Sequence, residues 1–305
     1  LARSRLPDAN SQVVLAVMGV NGRGAALAQG FARLAGVSIK HVCDVDALAA
    51  DRCAAQLVAA GRGKPVTIGD FRRALDDRDV TALVIAAPDH WHGPATILAC
   101  QAGKHVYVEK PACHNPREGQ LMVAAAAHHG RLVQMGTQRR SSESIRVAVD
   151  ELRGGALGRV LFARSWINGN RPSIGRGRQT TPPPTLDYGL WQGPAPQRPF
   201  QDNLVHYNWH WFWHWGTGEL GNNGVHGLDL CRWALGVNTP RQVTCGGGKY
   251  FFDDDQETPD TQLVTYDFGD RAIQWEHRTW HKRTPEGSSF GAAFYGERDT
   301  LVGDR

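Results

Sequence analysis

The chain has 305 residues, of which 21% are charged, and a formal net charge of +4 at neutral pH. This length suits two domains with separate cores. The arginines are scattered rather than gathered in one basic block, which argues against nucleic acid as a partner. No apolar run approaches the length of a bilayer span, so no membrane partner is expected. The six cysteines form no C-x-x-C pair and no spacing typical of zinc, so we expect free thiols and no metal centre.

The two ends of the sequence differ in character from the rest. The first ten residues are polar and contain a proline, as the remnant of a cleaved export signal would be, so a cytoplasmic and a periplasmic location both fit. A strand-like run at 300–302 stops three residues before the last one, which favours a longer native chain.

An apolar β-branched run at 13–18 leads into glycines and then into an alanine-rich stretch. This pattern predicts a buried parallel strand, a tight turn and a helix whose first N–H groups can hold a dinucleotide pyrophosphate. Gly19 and Gly24 fit the G-x-G-x-x-G fingerprint, and Asn21 stands at its middle position, where asparagine tolerates a left-handed backbone better than other non-glycine residues and so allows the turn. A strand-turn-helix without any ligand fits these glycines alone equally well. The predicted cofactor contacts in this turn are Gly19, Asn21, Gly22, Arg23 and Gly24.

Asp44 ends the second predicted strand, at 37–44, and follows Gly24 by twenty residues. At that distance a carboxylate accepts the hydroxyls of the adenosine ribose. It would also repel a 2′-phosphate, so NAD is favoured over NADP as the cofactor. The alternative role for Asp44 is the N-cap of the helix predicted at 47–60.

Strands and helices alternate through the first half of the chain. This alternation is typical of a doubly wound parallel sheet, so we predict an α/β fold whose N-terminal part is a Rossmann domain with its ligand loops after the strands. Two such loops carry polar side chains, one from Pro88 to His92 and one at Glu109-Lys110-Pro111. Further strands are predicted at 66–68, 81–87, 105–108 and 132–135, and helices at 70–75, 94–101 and 116–129.

From residue 141 the pattern changes to consecutive strands, which predicts an α+β domain with a largely antiparallel sheet. The predicted domains are 1–140, for dinucleotide binding, and 141–305, for substrate binding and oligomerisation. A long loop at 168–200 contains Arg171, Arg176 and Arg178 and is either solvated, a lid over the substrate or a site for an acidic sugar. The other predicted elements are a helix at 142–153 and strands at 159–167, 242–252, 261–268, 272–280 and 290–295.

A helix predicted at 222–235 begins with polar side chains. The spacings of four and three residues place Asn222, His226 and Asp229 on one helical face. A carboxylate one turn after a histidine can fix the imidazole tautomer, which distinguishes this group from an isolated core histidine.

Taken in order, the glycine turn, Asp44, residues 88–92, Glu109-Lys110-Pro111 and Gly224-x-His226-x-x-Asp229 resemble the Gfo/Idh/MocA oxidoreductases, the family of glucose-fructose oxidoreductase and inositol dehydrogenase. The resemblance implies that Lys110 contacts substrate and nicotinamide and that His226 is a catalytic acid/base. It adds Pro88, His92, Glu109 and Lys110 to the cofactor-binding residues, and it implies a homo-oligomer, either a dimer or a tetramer.

The resemblance is not complete. The family usually has an aspartate four residues before the histidine, whereas this chain has Asn222, whose amide can orient a hydroxyl but cannot accept a proton. Oxidation of a secondary alcohol needs a base for the proton and a cation for the developing negative oxygen, and His226 and Lys110 supply these two groups.

The leading hypothesis is therefore a dehydrogenase that acts on a secondary hydroxyl of a small-molecule carbohydrate, which includes sugars, cyclitols and glycosides. One alternative is an NAD-dependent glycosidase that uses transient oxidation and elimination. Another is a regulatory protein that binds the cofactor without catalysis, which Asn222 favours and the presence of Lys110 and His226 opposes.

The segment 209–215 alternates tryptophan with other aromatic residues. If it is extended, its four tryptophans share one face and can stack on sugar rings, so Trp209 and Trp213 join Asn222 and Asp229 as predicted substrate contacts. A core or interface role for these aromatics is about equally compatible with the pattern. If the segment is instead a helix, His206, His210 and His214 align as metal ligands, which we consider the weaker interpretation.

Overall fold

A computed structural model describes residues 12–169 and 171–303 of the chain. The predictions about the first ten residues and about the last two lie outside the described residues. Contacts divide the chain into two compact units. The first unit contains the described residues up to Gly136, together with Gly177–Trp209 and His214–Gly216; the second contains Thr137–Arg176, His210–Trp213 and the described residues from Thr217 onward. The predicted domain limits at 140 and 141 stay a prediction.

The regular elements follow the predicted alternation in the first half and the predicted series of strands in the second. The strands are β1 (Val13–Met18), β2 (Val37–Cys43), β3 (Val66–Ile68), β4 (Ala82–Ile85), β5 (His105–Val108), β6 (Val133–Met135), β7 (Val160–Asn168), β8 (Gln242–Gly248), β9 (Thr261–Asp267), β10 (Ala272–Arg278), β11 (Phe290–Gly296) and β12 (Thr300–Gly303). The α-helices are α1 (Arg23–Ala32), α2 (Ala47–Ala59), α3 (Arg72–Asp76), α4 (Asp89–Gln101), α5 (Pro116–His129), α6 (Glu143–Arg153), α7 (Tyr188–Gln192) and α8 (Val225–Leu235).

The first unit is built on a six-stranded parallel sheet with the order β3-β2-β1-β4-β5-β6. Apolar residues of α1 and α2, such as Ala28 and Leu57, pack with β1 residues such as Val17 on one face. Residues of α4 and α5, such as Ala99 and Met122, pack on the other face. Helices on both faces make this a doubly wound Rossmann sheet, so the predicted fold class is confirmed. In this topology ligands bind where the strand order reverses, beyond the carboxyl ends of β1 and β4.

Helix α4 begins five residues earlier than predicted. Pro88 occupies its N-cap position, and His90 and His92 lie in its first turns rather than in a loop. The predicted helix begins at Pro94. Pro94 instead lies inside α4.

The second unit contains a six-stranded sheet with the order β12-β11-β7-β10-β9-β8. All neighbouring strands in it are antiparallel except β7 and β10, which are parallel. The apolar faces of α6 and α8 cover one side, where Val149 and Cys231 pack with Ala163, Ile273 and Phe294. This largely antiparallel sheet confirms the predicted α+β character of the second half.

None of the helices in the described ranges has the length and apolarity of a bilayer span.

Candidate functional site

The turn between β1 and α1 depends on two of its glycines for close packing. Gly19 has φ +81, and a Cβ atom there would lie within 2.7 Å of the backbone of Ala86 and Ala87. A Cβ atom on Gly24 would lie 2.0 Å from the carbonyl oxygen of Gly19. By contrast, a Cβ atom on Gly22 would meet no atom within 4 Å. The backbone is therefore open at Gly22, directly before the first N–H groups of α1, as a bound pyrophosphate requires.

Asn21 does not adopt the left-handed backbone that asparagine tolerates. Among the described residues, Glu286 is the only non-glycine residue with positive φ. Gly19 alone provides the left-handed conformation in this turn, so Asn21 needs no special backbone. Its side chain is exposed and its Oδ1 accepts a hydrogen bond from Arg52 at 2.7 Å.

Asp44 connects the end of β2 to the glycine turn. Its Oδ2 accepts the backbone N–H of Val20 at 2.7 Å and its Oδ1 accepts that of Asp46 at 3.0 Å. Burial raises the pKa of the Asp44 carboxyl above its ordinary value, although these two hydrogen bonds oppose the shift. The alternative role as a helix cap is wrong, because the N-cap of α2 is Asp46, which accepts the N–H of Leu48 at 3.1 Å.

An ion pair joins the first turn of α1 to the Glu-Lys-Pro segment after β5. Arg23 Nε donates to Oε1 of Glu109 at 2.7 Å, and the Glu109 side chain is only 5% exposed. The other carboxylate oxygen of Glu109 accepts the backbone N–H of Lys110 at 3.2 Å. The peptide bond between Lys110 and Pro111 is cis. Two predicted cofactor residues from distant parts of the sequence thus meet in the first unit.

His92 lies between the end of β4 and the Glu-Lys-Pro segment. Its Nδ1 is 2.6 Å from the carbonyl oxygen of Pro111, and its Nε2 is 2.7 Å from that of Ala87. The side chain is buried. Both ring nitrogens contact protein carbonyl groups, so His92 holds these two loops together.

A second buried histidine of α4 escaped the sequence reasoning. His90 Nε2 lies 3.0 Å from the carbonyl oxygen of Trp191, and burial lowers the His90 pKa to about 4. The indole N–H of Trp91 donates to the carbonyl oxygens of Leu190 and Trp191 at 3.2 and 3.1 Å. These partners are about a hundred residues away in the sequence, so no local pattern could reveal them. The predicted loop at 168–200 therefore contributes a helix, α7, to the first unit.

In the second unit, Asn222 and His226 are both buried, each with 8% exposure. The predicted regular helix from 222 is wrong, because a π-helix at Leu220–Gly224 precedes α8. In the π-helix, the N–H of Val225 bonds to the carbonyl oxygen of Leu220, five residues back. The predicted shared face for Asn222 and His226, which assumed a uniform α-helix, therefore loses its geometric basis.

Asp229 forms a bidentate ion pair with Arg140. Arg140 Nε and Nη2 donate to its two carboxylate oxygens, each at 2.7 Å. The guanidinium also lies over the ring of Trp233, 5.3 Å from its centroid. Both carboxylate oxygens of Asp229 accept hydrogen bonds from Arg140. If Asp229 also fixes the His226 tautomer, as predicted, it must do so with oxygens that already bond to this arginine.

The three arginines of the predicted 168–200 loop are in ion pairs. Arg171 pairs with Glu219, a fully buried carboxylate, at 2.6 Å. Arg176 pairs with Asp253, and Arg178 pairs with Asp202 at 3.4 Å. Sequence reasoning missed Glu219, because a lone glutamate before a helix gives no signal of burial.

The tryptophan-rich segment is not extended. A 3-10 helix spans Asn208–Trp211 and turns follow it, so the premise that alternate tryptophans share a strand face is wrong. Trp209 is 8% exposed and donates its indole N–H to the carbonyl oxygen of His206 at 3.0 Å. Trp213, by contrast, is 53% exposed.

The alignment of His206, His210 and His214 on one helix is not seen either, since the 3-10 helix is only four residues long. His206 Nε2 is 3.0 Å from Asp46, and His214 Nε2 is 2.6 Å from the carbonyl oxygen of Pro196. Within residues 12–169 and 171–303, no group of three or more His, Cys, Asp or Glu side chains could hold a metal ion.

Comparison with known families covers both parts of the chain. Residues 13–137 match the family model described as "Oxidoreductase family, NAD-binding Rossmann fold", and residues 174–270 match that described as "Oxidoreductase family, C-terminal alpha/beta domain". The chain belongs to the Gfo/Idh/MocA oxidoreductase family. The predicted resemblance is thus confirmed, and so is NAD as the cofactor of this Gfo/Idh/MocA chain.

Part of the chain also resembles individual curated proteins. A glycosyl hydrolase family 109 protein of Saccharopolyspora erythraea is 32% identical over 160 residues, which cover 51% of this chain and 35% of that protein. The chain thus spans about a third of the length of the relatives it matches.

Two solved structures show the same fold. The WlbA dehydrogenase of Bordetella pertussis, solved with NADH and UDP-GlcNAcA, has a TM-score of 0.74 and 19% identity, over 97% of this chain and 75% of that one. Myo-inositol 2-dehydrogenase of Lactobacillus plantarum has a TM-score of 0.70 and 17% identity, over 96% of this chain and 76% of that one.

Proposed function

We propose that this chain is an NAD-dependent oxidoreductase that oxidises a secondary hydroxyl of a sugar, cyclitol or glycoside. The observation that carries the proposal is a buried histidine, His226, at the start of α8 in a family chain whose first unit has an open glycine turn. The dehydrogenases with the same fold include two whose names or ligands refer to an inositol and to a nucleotide sugar.

The turn residues Gly19, Asn21, Gly22, Arg23 and Gly24 are proposed to hold the pyrophosphate of NAD. The space next to Gly22 and the first N–H groups of α1 support this role. Asp44 is proposed to accept the adenosine ribose hydroxyls, since each of its oxygens has a lone pair beyond the one used by a backbone N–H. NADP is disfavoured because its 2′-phosphate would approach this carboxylate. Pro88, Glu109 and Lys110 are proposed to bind the nicotinamide half, and His92 is proposed to hold their loops in place.

Bound NAD would accept the hydride from the substrate carbon. His226 is proposed to take the hydroxyl proton, because imidazole titrates near neutral pH. Lys110 is proposed to stabilise the oxygen that becomes negative, since an ammonium group provides both charge and donors. Asn222 and Trp213 are the proposed substrate contacts. The other two predicted contacts, Asp229 and Trp209, already bond to Arg140 and to the carbonyl oxygen of His206. The exposed indole of Trp213 supports a stacking role toward a sugar ring.

The test is to titrate the purified chain with NAD and then to incubate it with free sugars, cyclitols and glycosides. We expect NAD to bind, and we expect one of these compounds to give a stoichiometric rise in NADH absorbance. Absence of NAD binding at saturating concentration would overturn the proposal at its first step.

A redox-neutral glycosidase is the second candidate, and the relation to a glycosyl hydrolase family 109 protein favours it. Such an enzyme would release the aglycone of an aryl glycoside without a lasting rise in NADH absorbance. The same incubations therefore separate the two functions, provided that aglycone and NADH are measured in one sample.

We also propose that the chain forms a homo-oligomer, a dimer or a tetramer, through the second sheet. The face opposite α6 and α8 presents Phe162, Arg164 and Tyr295, and it includes Leu263 and Val302 with 45% and 46% exposure. Exposed apolar residues between charged ones are typical of subunit contacts. Light scattering of the purified chain measures its mass, and a monomer at micromolar concentration would contradict this proposal.

A further inference from the structure

Glu219 is a buried carboxylate for which neither the sequence motifs nor the proposed reaction provides a role. Its side chain has no exposed surface, and it directly precedes the π-helix Leu220–Gly224 that leads into α8. Burying a charge is costly unless the group is paired and fully hydrogen-bonded. The contacts of Glu219 therefore indicate what its charge is used for.

Arg171 holds the Glu219 carboxylate in a fork. Its Nε donates to Oε2 at 2.6 Å and its Nη2 donates to Oε1 at 3.1 Å. The guanidinium lies over the ring of Trp211, 4.7 Å from its centroid, and the backbone N–H of Arg171 donates to the carbonyl oxygen of Thr279 at 2.9 Å. Arg171 is thus held by its backbone, its ring contact and its ion pair, so it fixes the position of Glu219 with little freedom.

The same carboxylate reaches into the π-helix. Asn223 donates an Nδ2–H to Oε1 of Glu219. A π-helix has wider turns than an α-helix and is rare, and it is found most often as a single turn at functional sites. The hydrogen bond from Asn223 links the π-helix to Glu219, the residue directly before it, and so helps to stabilise the π-helical backbone.

The glycines at the end of the π-helix and at the start of α8 are closely packed. A Cβ atom on Gly224 would lie 2.9 Å from the Leu220 side chain and 3.1 Å from that of Trp275. A Cβ atom on Gly227 would lie 2.0 Å from Oγ of Ser165 on β7. The start of α8 therefore packs directly against Ser165 of β7 and Trp275 of β10, with no space for a closer approach. The geometry of the π turn then sets the direction in which the next residues point.

His277 is another polar group near Glu219, and it does not provide a positive charge to balance the carboxylate. His277 is buried, and burial lowers its pKa although Glu219 and Asp260 oppose the shift. Its Nδ1 accepts the indole N–H of Trp275 at 3.3 Å, and its Nε2 lies 3.2 Å from the carbonyl oxygen of Pro259. This pattern fits a neutral imidazole with its proton on Nε2. Arg171 is therefore the cation that balances Glu219.

We propose that Glu219 is a positioning residue that, through Arg171 and Asn223, fixes the π turn and with it the orientation of the Asn222 and His226 side chains. Its effect on turnover rests on the proposed function. The orientation of His226 does not, because it can be measured without substrate or cofactor.

The test compares Glu219→Gln with the wild-type chain and with Glu297→Gln as the matched control. Glu297 also pairs with an arginine of the second unit, Arg159, but at the surface, where its side chain is 41% exposed. Histidine-ring NMR on the free protein, with the His226 signals assigned from His226→Gln, is the first measurement. We expect Glu219→Gln to move or split the His226 ring signals and to shift their titration midpoint, and Glu297→Gln to leave them unchanged.

The second measurement is kinetic. We expect kcat of Glu219→Gln to fall on the order of 10²-fold, which is the effect of misplacing a catalytic group by about 1 Å. The Kd for NAD should stay unchanged, since the proposed NAD contacts belong to the first unit. A wild-type chain without turnover would refute the proposed function but would leave the NMR comparison decisive for Glu219.

Glu219→Gln leaves the positive charge of Arg171 without its carboxylate partner, which could unfold the chain. A second variant therefore removes both charges. The double substitution Glu219→Gln with Arg171→Gln removes both charges and keeps two hydrogen-bonding side chains. We expect this variant to fold and still to show displaced His226 signals. Wild-type His226 signals in either folded variant would overturn the proposal.

Discussion

The carboxylate of Asp44 accepts the backbone N–H of Val20 at 2.7 Å, so the acid that directly follows β2 also closes the glycine turn after β1. The residue proposed to read the adenosine ribose is thus bonded to the turn proposed to hold the pyrophosphate. A change at Asp44 is expected to affect both.

Asp44→Asn keeps the shape of the side chain but removes its charge. We expect the Kd for NAD to rise about tenfold to a hundredfold, since hydrogen bonds to a charged group contribute about 1.5–3 kcal/mol. The preference for NAD over NADP should shrink because the repulsion of a 2′-phosphate is lost. Calorimetric titration with both cofactors measures this. Asp51→Asn, at an exposed position of α2, is the control, and an unchanged preference in Asp44→Asn would contradict the ribose role.

Two substitutions in the glycine turn are expected to affect different properties, one mainly the stability of the fold and the other mainly the binding of NAD. Gly24→Ala places a Cβ atom on the Gly19 carbonyl, so we expect the free energy of unfolding to fall by about 1–3 kcal/mol. Gly22→Ala meets no protein atom, so it should cost less stability but weaken NAD binding, because the new methyl group occupies the space proposed for the pyrophosphate. Gly30→Ala, which is open and inside α1, is the control. Thermal unfolding and NAD titration together distinguish the three variants.

Lys110→Ala and His226→Ala test the chemical step. We expect each to lower kcat by about 10²-fold or more, because general acid–base groups contribute 10²–10⁴-fold, while the chain still folds and binds NAD. Lys64→Ala, at an exposed lysine, should behave as the wild type. Near-normal turnover in both active-site variants would remove these residues from the mechanism.

His90 makes stability depend on pH. Its pKa is about 4 in the folded chain, below the ordinary value of 6.5, so the unfolded chain binds more protons between these two values. The free energy of unfolding should therefore fall as the pH decreases from about 6.5 to 4, by on the order of 3 kcal/mol from this residue. Urea titrations of wild type and His90→Gln measure the difference. His128→Gln, at an exposed histidine of α5, should keep the wild-type slope, and an equal slope in His90→Gln would exclude His90 as the cause.

The sequence was most informative where local pattern decides the structure. The alternation of strands and helices predicted the parallel sheet, because burial on both faces demands continuous apolar strands. The antiparallel sheet followed from consecutive strands without helices between them. The first glycine and the last glycine of the turn were also recognisable, since each fits a position where no side chain has room.

The sequence was least informative where the deciding contact is distant or where two local structures share one composition. The partner of Asp229 is Arg140, 89 residues earlier, and no spacing rule links them. The π turn before α8 has the composition of an ordinary helix start, so only the structure shows that Asn222 lies in it. The alternation of tryptophans suggested a strand, but the segment forms a 3-10 helix in which both Trp209 and Trp211 are buried.

The grouping of residues 177–209 with the first unit has a consequence for how the chain is made. The indole N–H of Trp91 finds its acceptors only at residues 190 and 191, and the backbone N–H of His90 finds its acceptor at Trp215. During translation, these donors can bond only to water until residue 215 has emerged from the ribosome. A fragment ending at residue 140 would carry every strand of the Rossmann sheet and still lack the acceptors of Trp91 and His90.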